Sequence, residues 1–157
     1  MRSSLAAVLG ALLFAAPVQA DWPWSREEDG ALRLSLSLED NVRGECWRDP
    51  EATLSGMVDV LTAYGISVSD DARTSLVLYA IGHPSATGKH RPRLKCVGVM
   101  QIRVSALDVG DDNRLTVTSL YDQERLIVSN DRLDTALGTL SRELTDNFSR
   151  RFSGYFD

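Results

Sequence analysis

Between residues 31 and 39 the chain alternates without interruption, with Leu32, Leu34, Leu36 and Leu38 on one side and Arg33, Ser35 and Ser37 on the other. A two-residue period is that of a β-strand with one buried and one wetted face. Residues 41–48, containing Gly44 and Cys46, read as a loop. The period then changes. Asp49-Pro50-Glu51 is a helix start: Asp49 caps free amides, Pro50 fits the first helical position, and Glu51 complements the dipole. Leu54, Met57, Val58 and Leu61 recur at helical spacing and predict the buried stripe. Tyr64-Gly65-Ile66 predicts the stop, with Gly65 left-handed and Ile66 folded back on the last turn.

Residues 66–68 predict a short strand, Asp70 and Asp71 a turn, and residues 74–81 the next strand. There Leu76 and Leu78 oppose Val77, Tyr79 and Ile81, and two apolar faces predict a central position in a sheet. Residues 82–93 read as a long loop with Pro84, Gly88 and Pro92. Residues 95–106 alternate again, Met100, Ile102 and Val104 against Gln101, Arg103 and Ser105. A hairpin loop over 108–113 leads to a strand over 114–121, which 125–128 extends after a bend. Residues 131–152 predict a helix with Leu133, Ala136, Leu137, Leu140, Leu144 and Phe148 on one stripe, Ser129 or Asn130 as its cap and Gly154 as its end.

The order β-α-β-β-β-β-α predicts an α+β fold: a two-layer sandwich in which a mainly antiparallel sheet of four to five strands carries both helices on one face. This layout resembles small periplasmic accessory domains of envelope machines, such as the lipopolysaccharide-assembly lipoprotein of the outer membrane and the N-terminal domain of the Tol-system propeller protein. The resemblance is one of layout, implies an envelope setting, and carries no site residue across.

The segment ahead of the first strand changes the picture. Arg2, the apolar run over 5–16, and Pro17-Val18-Gln19-Ala20 before Asp21 have the three parts of an export signal. The run is about a dozen residues, short of the roughly 20 that cross a bilayer. Residues 1–20 are therefore expected to be cleaved between Ala20 and Asp21, placing a bacterial protein in the periplasm or outside the cell, with no transmembrane span in the mature chain. Residues 21–30 read as a flexible lead, with Trp22 and Trp24 expected on the domain edge, and residues 31–157 as a single domain. In an oxidising compartment the only two cysteines, Cys46 and Cys96, are expected to form a disulfide.

Charge narrows the function. Loss of Arg2 with the leader leaves 16 basic residues against 22 acidic ones, a formal −6. An acidic domain lacks the positive density that binds phosphate backbones, so no nucleic-acid partner is expected. No Gly-x-Ser-x-Gly elbow is present, and the two histidines, His83 and His90, match no zinc spacing, so no catalytic residue, metal or cofactor is assigned. Asp108, Asp111, Asp112 and Asn113 read as turn residues rather than a calcium loop. The candidate binding residues are Lys89, His90, Arg91, Arg93 and Lys95, a positive cluster suited to an acidic envelope protein, an anionic lipid or lipopolysaccharide. Leu144, Phe148 and Phe152 are expected to pack on the sheet, with Tyr155 and Phe156 beyond them. Together these features point to an exported non-enzymatic cell-envelope protein, a small binding or adaptor module. The alternative is a small periplasmic hydrolase or metal-binding protein using the His83/His90 loop.

Overall fold

The structure, a computed structural model, describes residues 32–85, 95–109 and 112–153. Their order is β1 (Arg33–Val42), α1 (Pro50–Ala63), β2 (Ser67–Val68), β3 (Thr74–Ser85), β4 (Lys95–Val109), β5 (Leu115–Ser129) and α2 (Asp134–Ser153). The leader, the lead with its two tryptophans, and Tyr155 and Phe156 lie outside the described residues.

The expected α+β architecture is present. The five strands form one sheet in the order β2-β1-β3-β4-β5, with β3 in the middle as its two apolar faces predicted. The sheet is mixed. β1 runs parallel to both β2 and β3, because α1 carries the chain back to the end from which β1 began. The ladders β3–β4 and β4–β5 are antiparallel and carry most of the pairing.

Local chemistry places the ends of α1 as the sequence predicts. Asp49 Oδ1 accepts the Ala52 N–H at 3.0 Å, and Pro50 opens the helix. At the other end Gly65 adopts φ +73°, its N–H bonds the Thr62 carbonyl, and the Ile66 N–H bonds the Leu61 carbonyl. This pair of bonds satisfies carbonyls that helix termination would otherwise orphan.

Several boundaries differ from expectation; β4, for one, runs to Val109, so Asp108 is strand rather than hairpin loop. β1 continues to Val42, and β3 continues to Ser85, so that 82–85 are strand rather than loop. β1 pairs with β3 only as far as Gly82, so Pro84 sits where β3 has become an edge and its missing N–H leaves no ladder bond unmade. β5 is continuous, its two expected halves joined by an irregularity opposite Val104 and Ser105 that leaves Leu120 unpaired. Finally, α2 begins at Asp134, not at Asp131. Ser129 Oγ accepts the Asp131 N–H in a turn instead of capping the helix. The Leu133 N–H is taken by the Cys46 carbonyl at 2.7 Å, and the chain bends at residues 130, 131 and 133 before the helix starts at Asp134.

That junction also explains two glycines. Gly82 and Gly98 face each other across β3 and β4, and Leu133 packs on the bare backbone between them. A Cβ at Gly98 would fall 2.7 Å from the Ile81 carbonyl oxygen and 2.9 Å from Leu133 Cδ1. Beside it the Cys46–Cys96 disulfide ties the loop before α1 to the start of β4, with Cα atoms 5.8 Å apart. The Arg48 N–H donates to Asp134 Oδ1 at 2.8 Å, so loop, strand and α2 meet at one corner.

One side of the sheet carries the two helices over its centre. Leu34, Leu76, Leu78, Ala80, Met100, Ile102 and Val104 are buried beneath Met57 and Leu61 of α1 and Leu137, Leu144, Phe148 and Phe152 of α2. Tyr121 closes this layer at β5, its ring centroid 5.5 Å from that of Phe148. The helices contact each other closely: the Arg142 guanidinium lies over Gly56, and the Tyr64 hydroxyl donates to Asp146 Oδ1 at 2.8 Å.

Candidate functional site

The opposite side of the sheet has no layer over it among the described residues. The strand registers arrange its side chains in rows that cross the strands. Ser35, Ser75, Ser105 and Ser119 form one row. Next come Ser37, Val77, Arg103 and Asp122, then Glu39, Tyr79, Gln101 and Glu124. These three rows make a polar belt across the middle of the face.

The belt is internally bonded. Arg103 Nε lies 3.3 Å from Asp122 Oδ2, and Gln101 Nε2 donates to Asp122 Oδ1 at 2.7 Å. The Arg103 guanidinium also sits 5.4 Å from the centre of the Tyr79 ring, where the aromatic face attracts a cation. A groove of about 700 Å³ runs over the belt and its edge, lined by Ser75, Tyr79, Arg103, Ser105, Leu107 and Val117 among others.

Apolar bands flank the belt on both sides. Toward the start of β4 lie Ile81, Val97, Val99, Leu126 and Val128; toward the β4–β5 turn lie Leu107, Val109, Leu115 and Val117. Leu126 is 71% exposed, Val128 66%, and Leu115 and Val117 each 65%. Antiparallel sheets normally turn polar side chains to water on their open side. Eight exposed aliphatic residues in two compact bands depart from that rule.

The second band stands on a projection. β3 pairs with β4 only up to Ala106, so Leu107–Val109 and their partners form a two-stranded ribbon beyond the sheet. Its turn contains Asn113 at φ +60° and Asp112, whose Oδ1 accepts the Arg114 N–H. These are conformational roles, as the sequence suggested for them.

The sequence-predicted site residues fare differently. Lys89, His90, Arg91 and Arg93 lie outside the described residues. Lys95 is the first residue of β4, in register with Ser85. His83 is exposed on the open face, in register with Val97. Among the described residues no three His, Cys, Asp or Glu side chains converge as metal ligands. Burial raises the Tyr121 hydroxyl above the ordinary tyrosine value of 10.0, against the opposing pull of Arg151 and Arg125. That group lies under α2 and not on the open face. No described helix is long and apolar enough to cross a membrane.

The open face was written in the sequence only as the second apolar side of residues 77–81; Leu115 and Val117 share that side with Leu126 and Val128 only through the irregularity at Leu120. Periodicity showed that Val77, Tyr79 and Ile81 share a side. It did not show that the side is bare.

No protein-family model matches the chain, and no curated protein matches it significantly. Solved structures do. A point variant of the PelC dodecamer from Paraburkholderia phytofirmans aligns at 12% identity over 76% of this chain and 88% of its own, with a TM-score of 0.43. The rare lipoprotein B from Shewanella oneidensis aligns at 14% identity over 79% of this chain and 89% of its own, with a TM-score of 0.30. A minor lipoprotein from Acinetobacter baumannii gives 15% identity, 79% and 89% coverage, and a TM-score of 0.29. All three superpose loosely, and no site residue is carried across from them.

Proposed function

We propose that this chain is an exported, non-enzymatic cell-envelope protein that works as a small binding or adaptor module, and that its open sheet face is the binding surface. The observation that carries this reading is the pair of exposed aliphatic bands on a face that water should otherwise select to be polar. Export is supported by the leader and by the disulfide, a bond that persists in oxidising compartments. Intact-mass analysis of native material is expected to find a chain that begins at Asp21 and weighs two hydrogens less than its reduced form.

The basic residues Lys89, His90, Arg91, Arg93 and Lys95, of which Lys95 opens β4, supply positive charge for an acidic protein or an anionic lipid headgroup. The test places a photo-crosslinking side chain at Leu126 on the open face and, separately, at Glu143 on the exposed side of α2. Protein adducts in whole cells are expected from Leu126 and not from Glu143. Adducts from Glu143 alone would refute the open face as the binding surface.

A further inference from the structure

The open face is self-complementary, and the geometry points to a second copy of this chain as its occupant. This inference rests on the reading of that face as a binding surface and names what it binds. Consider a twofold axis in the interface, parallel to the strands and midway between β4 and β5. Such an axis lays each β4 side chain of one copy over the β5 side chain that neighbours it in register. Val99 then meets Leu126 of the second copy, Val97 meets Val128, Leu107 meets Val117, and Val109 meets Leu115. Each apolar band thus lies on its own counterpart.

The belt matches in the same operation. Arg103 comes over Asp122 of the other copy and Gln101 over Glu124, while Ser105 meets Ser119, where small side chains permit close approach. An axis run across the strands at the Arg103 row would instead set Arg103 over Arg103 and Asp122 over Asp122. The contact is therefore specified by charge as well as by apolar character, and the like residues of a twofold interface meet in reciprocal pairs. The strip involved carries one cation, Arg103, against two carboxylates, Asp122 and Glu124, so little of the chain's net −5 is brought together. Aligned sheet-on-sheet packing at about 10 Å is the geometry by which bare sheet faces are ordinarily buried.

The ribbon beyond Ala106 gives a second reason. A two-stranded ribbon is marginal in water and needs a layer against it. In the paired arrangement the ribbon of one copy lies on the ribbon of the other, and each supplies that layer.

The test is sedimentation of the disulfide-bonded chain, expressed with its own leader and purified as it matures. The parent is expected to be a dimer. Arg103→Asp alone and Asp122→Arg alone each oppose like charges across the axis, and each is expected to weaken dimerisation at least roughly tenfold. Both also break the pair within one copy, so thermal melts establish that each variant is folded. The deciding sample is their equimolar mixture. In the mixed pair two aspartates face two arginines, so dimers return only if the contact is between copies. A parent that stays monomeric, or a mixture that does not recover, overturns the proposal. A monomer that dimerises once residues 21–30 are removed also overturns it and makes the lead with Trp22 and Trp24 the occupant. Leu126 crosslinks to a different protein, with no self-association, sink the second copy while leaving the binding surface standing.

Discussion

Strand β4 serves two environments with one backbone. Toward the helices it turns Cys96, Met100, Ile102 and Val104, all without solvent contact. Away from them it turns Val97, Gln101, Arg103 and Leu107, half-buried or exposed. β5 repeats the contrast, with Tyr121 and Ile127 under the helix layer and Leu126 and Val128 in the open. Both sides contain aliphatic residues, so composition does not separate them. What separates them is the presence of a second layer. Stability resides on the covered side, where the aliphatic side chains are buried, whereas the open side has apolar area that folding leaves unused.

The sharpest way to break this contrast is to truncate both sides equally. Phe148→Ala should cost about 3–5 kcal/mol, because the ring is fully buried between Tyr121 and Phe152 and a cavity would remain. Leu126→Ala, on the same sheet, should move monomer stability by no more than about 0.5 kcal/mol in denaturant unfolding at concentrations too low for association. Equal costs would mean that the open side is covered within the monomer.

Replacing Cys46 and Cys96 together by alanine should cost about 2–4 kcal/mol, measured against the oxidised parent, because the bridge closes a long loop in the unfolded chain. Gly98→Ala should cost about 1–3 kcal/mol, since its Cβ meets a backbone carbonyl that cannot retreat and a leucine held by α2. A melt left unchanged by this substitution would mean that neither the Ile81 carbonyl nor Leu133 lies against Gly98.

The smallest effect sharpens the covered side itself. The Tyr121 hydroxyl is buried and has no hydrogen-bond partner among the described residues. Its raised pKa means that the folded state holds the proton more tightly than the unfolded chain does. The stability linked to it is whole below pH 10.0 and is lost as pH rises from there through the folded-state value. Tyr121→Phe should leave neutral-pH stability within about 0.5 kcal/mol and flatten the alkaline limb, read as midpoint against pH.

Much of the covered side was legible in the chain. The alternation from Leu32 to Leu38 named β1 and its inward face, and Asp49-Pro50 and Gly65-Ile66 marked both ends of α1, because these signals act through bonds a few residues apart. The start of α2 was not legible. It depends on a bond from Leu133 to Cys46, far away in sequence, which no local pattern encodes. The open face was half legible. Val77, Tyr79 and Ile81 were visible as an apolar side and read as burial, since pattern alone cannot count layers. The belt was not visible at all, because Arg103 and Asp122 are brought together by register and an intervening irregularity.

Leu120 is one residue too many for the ladder it sits in, and this sets how length changes in β5 are tolerated. At that place the strand can shed an amino acid and close into regular pairing with every neighbour still pointing the way it did. A residue lost elsewhere in β5 turns the remainder over, carrying water-facing groups inward and core groups out. For the hairpin, then, the surplus leucine is slack in the reading frame of inside and outside, the one point where shortening leaves the two sides of the molecule intact.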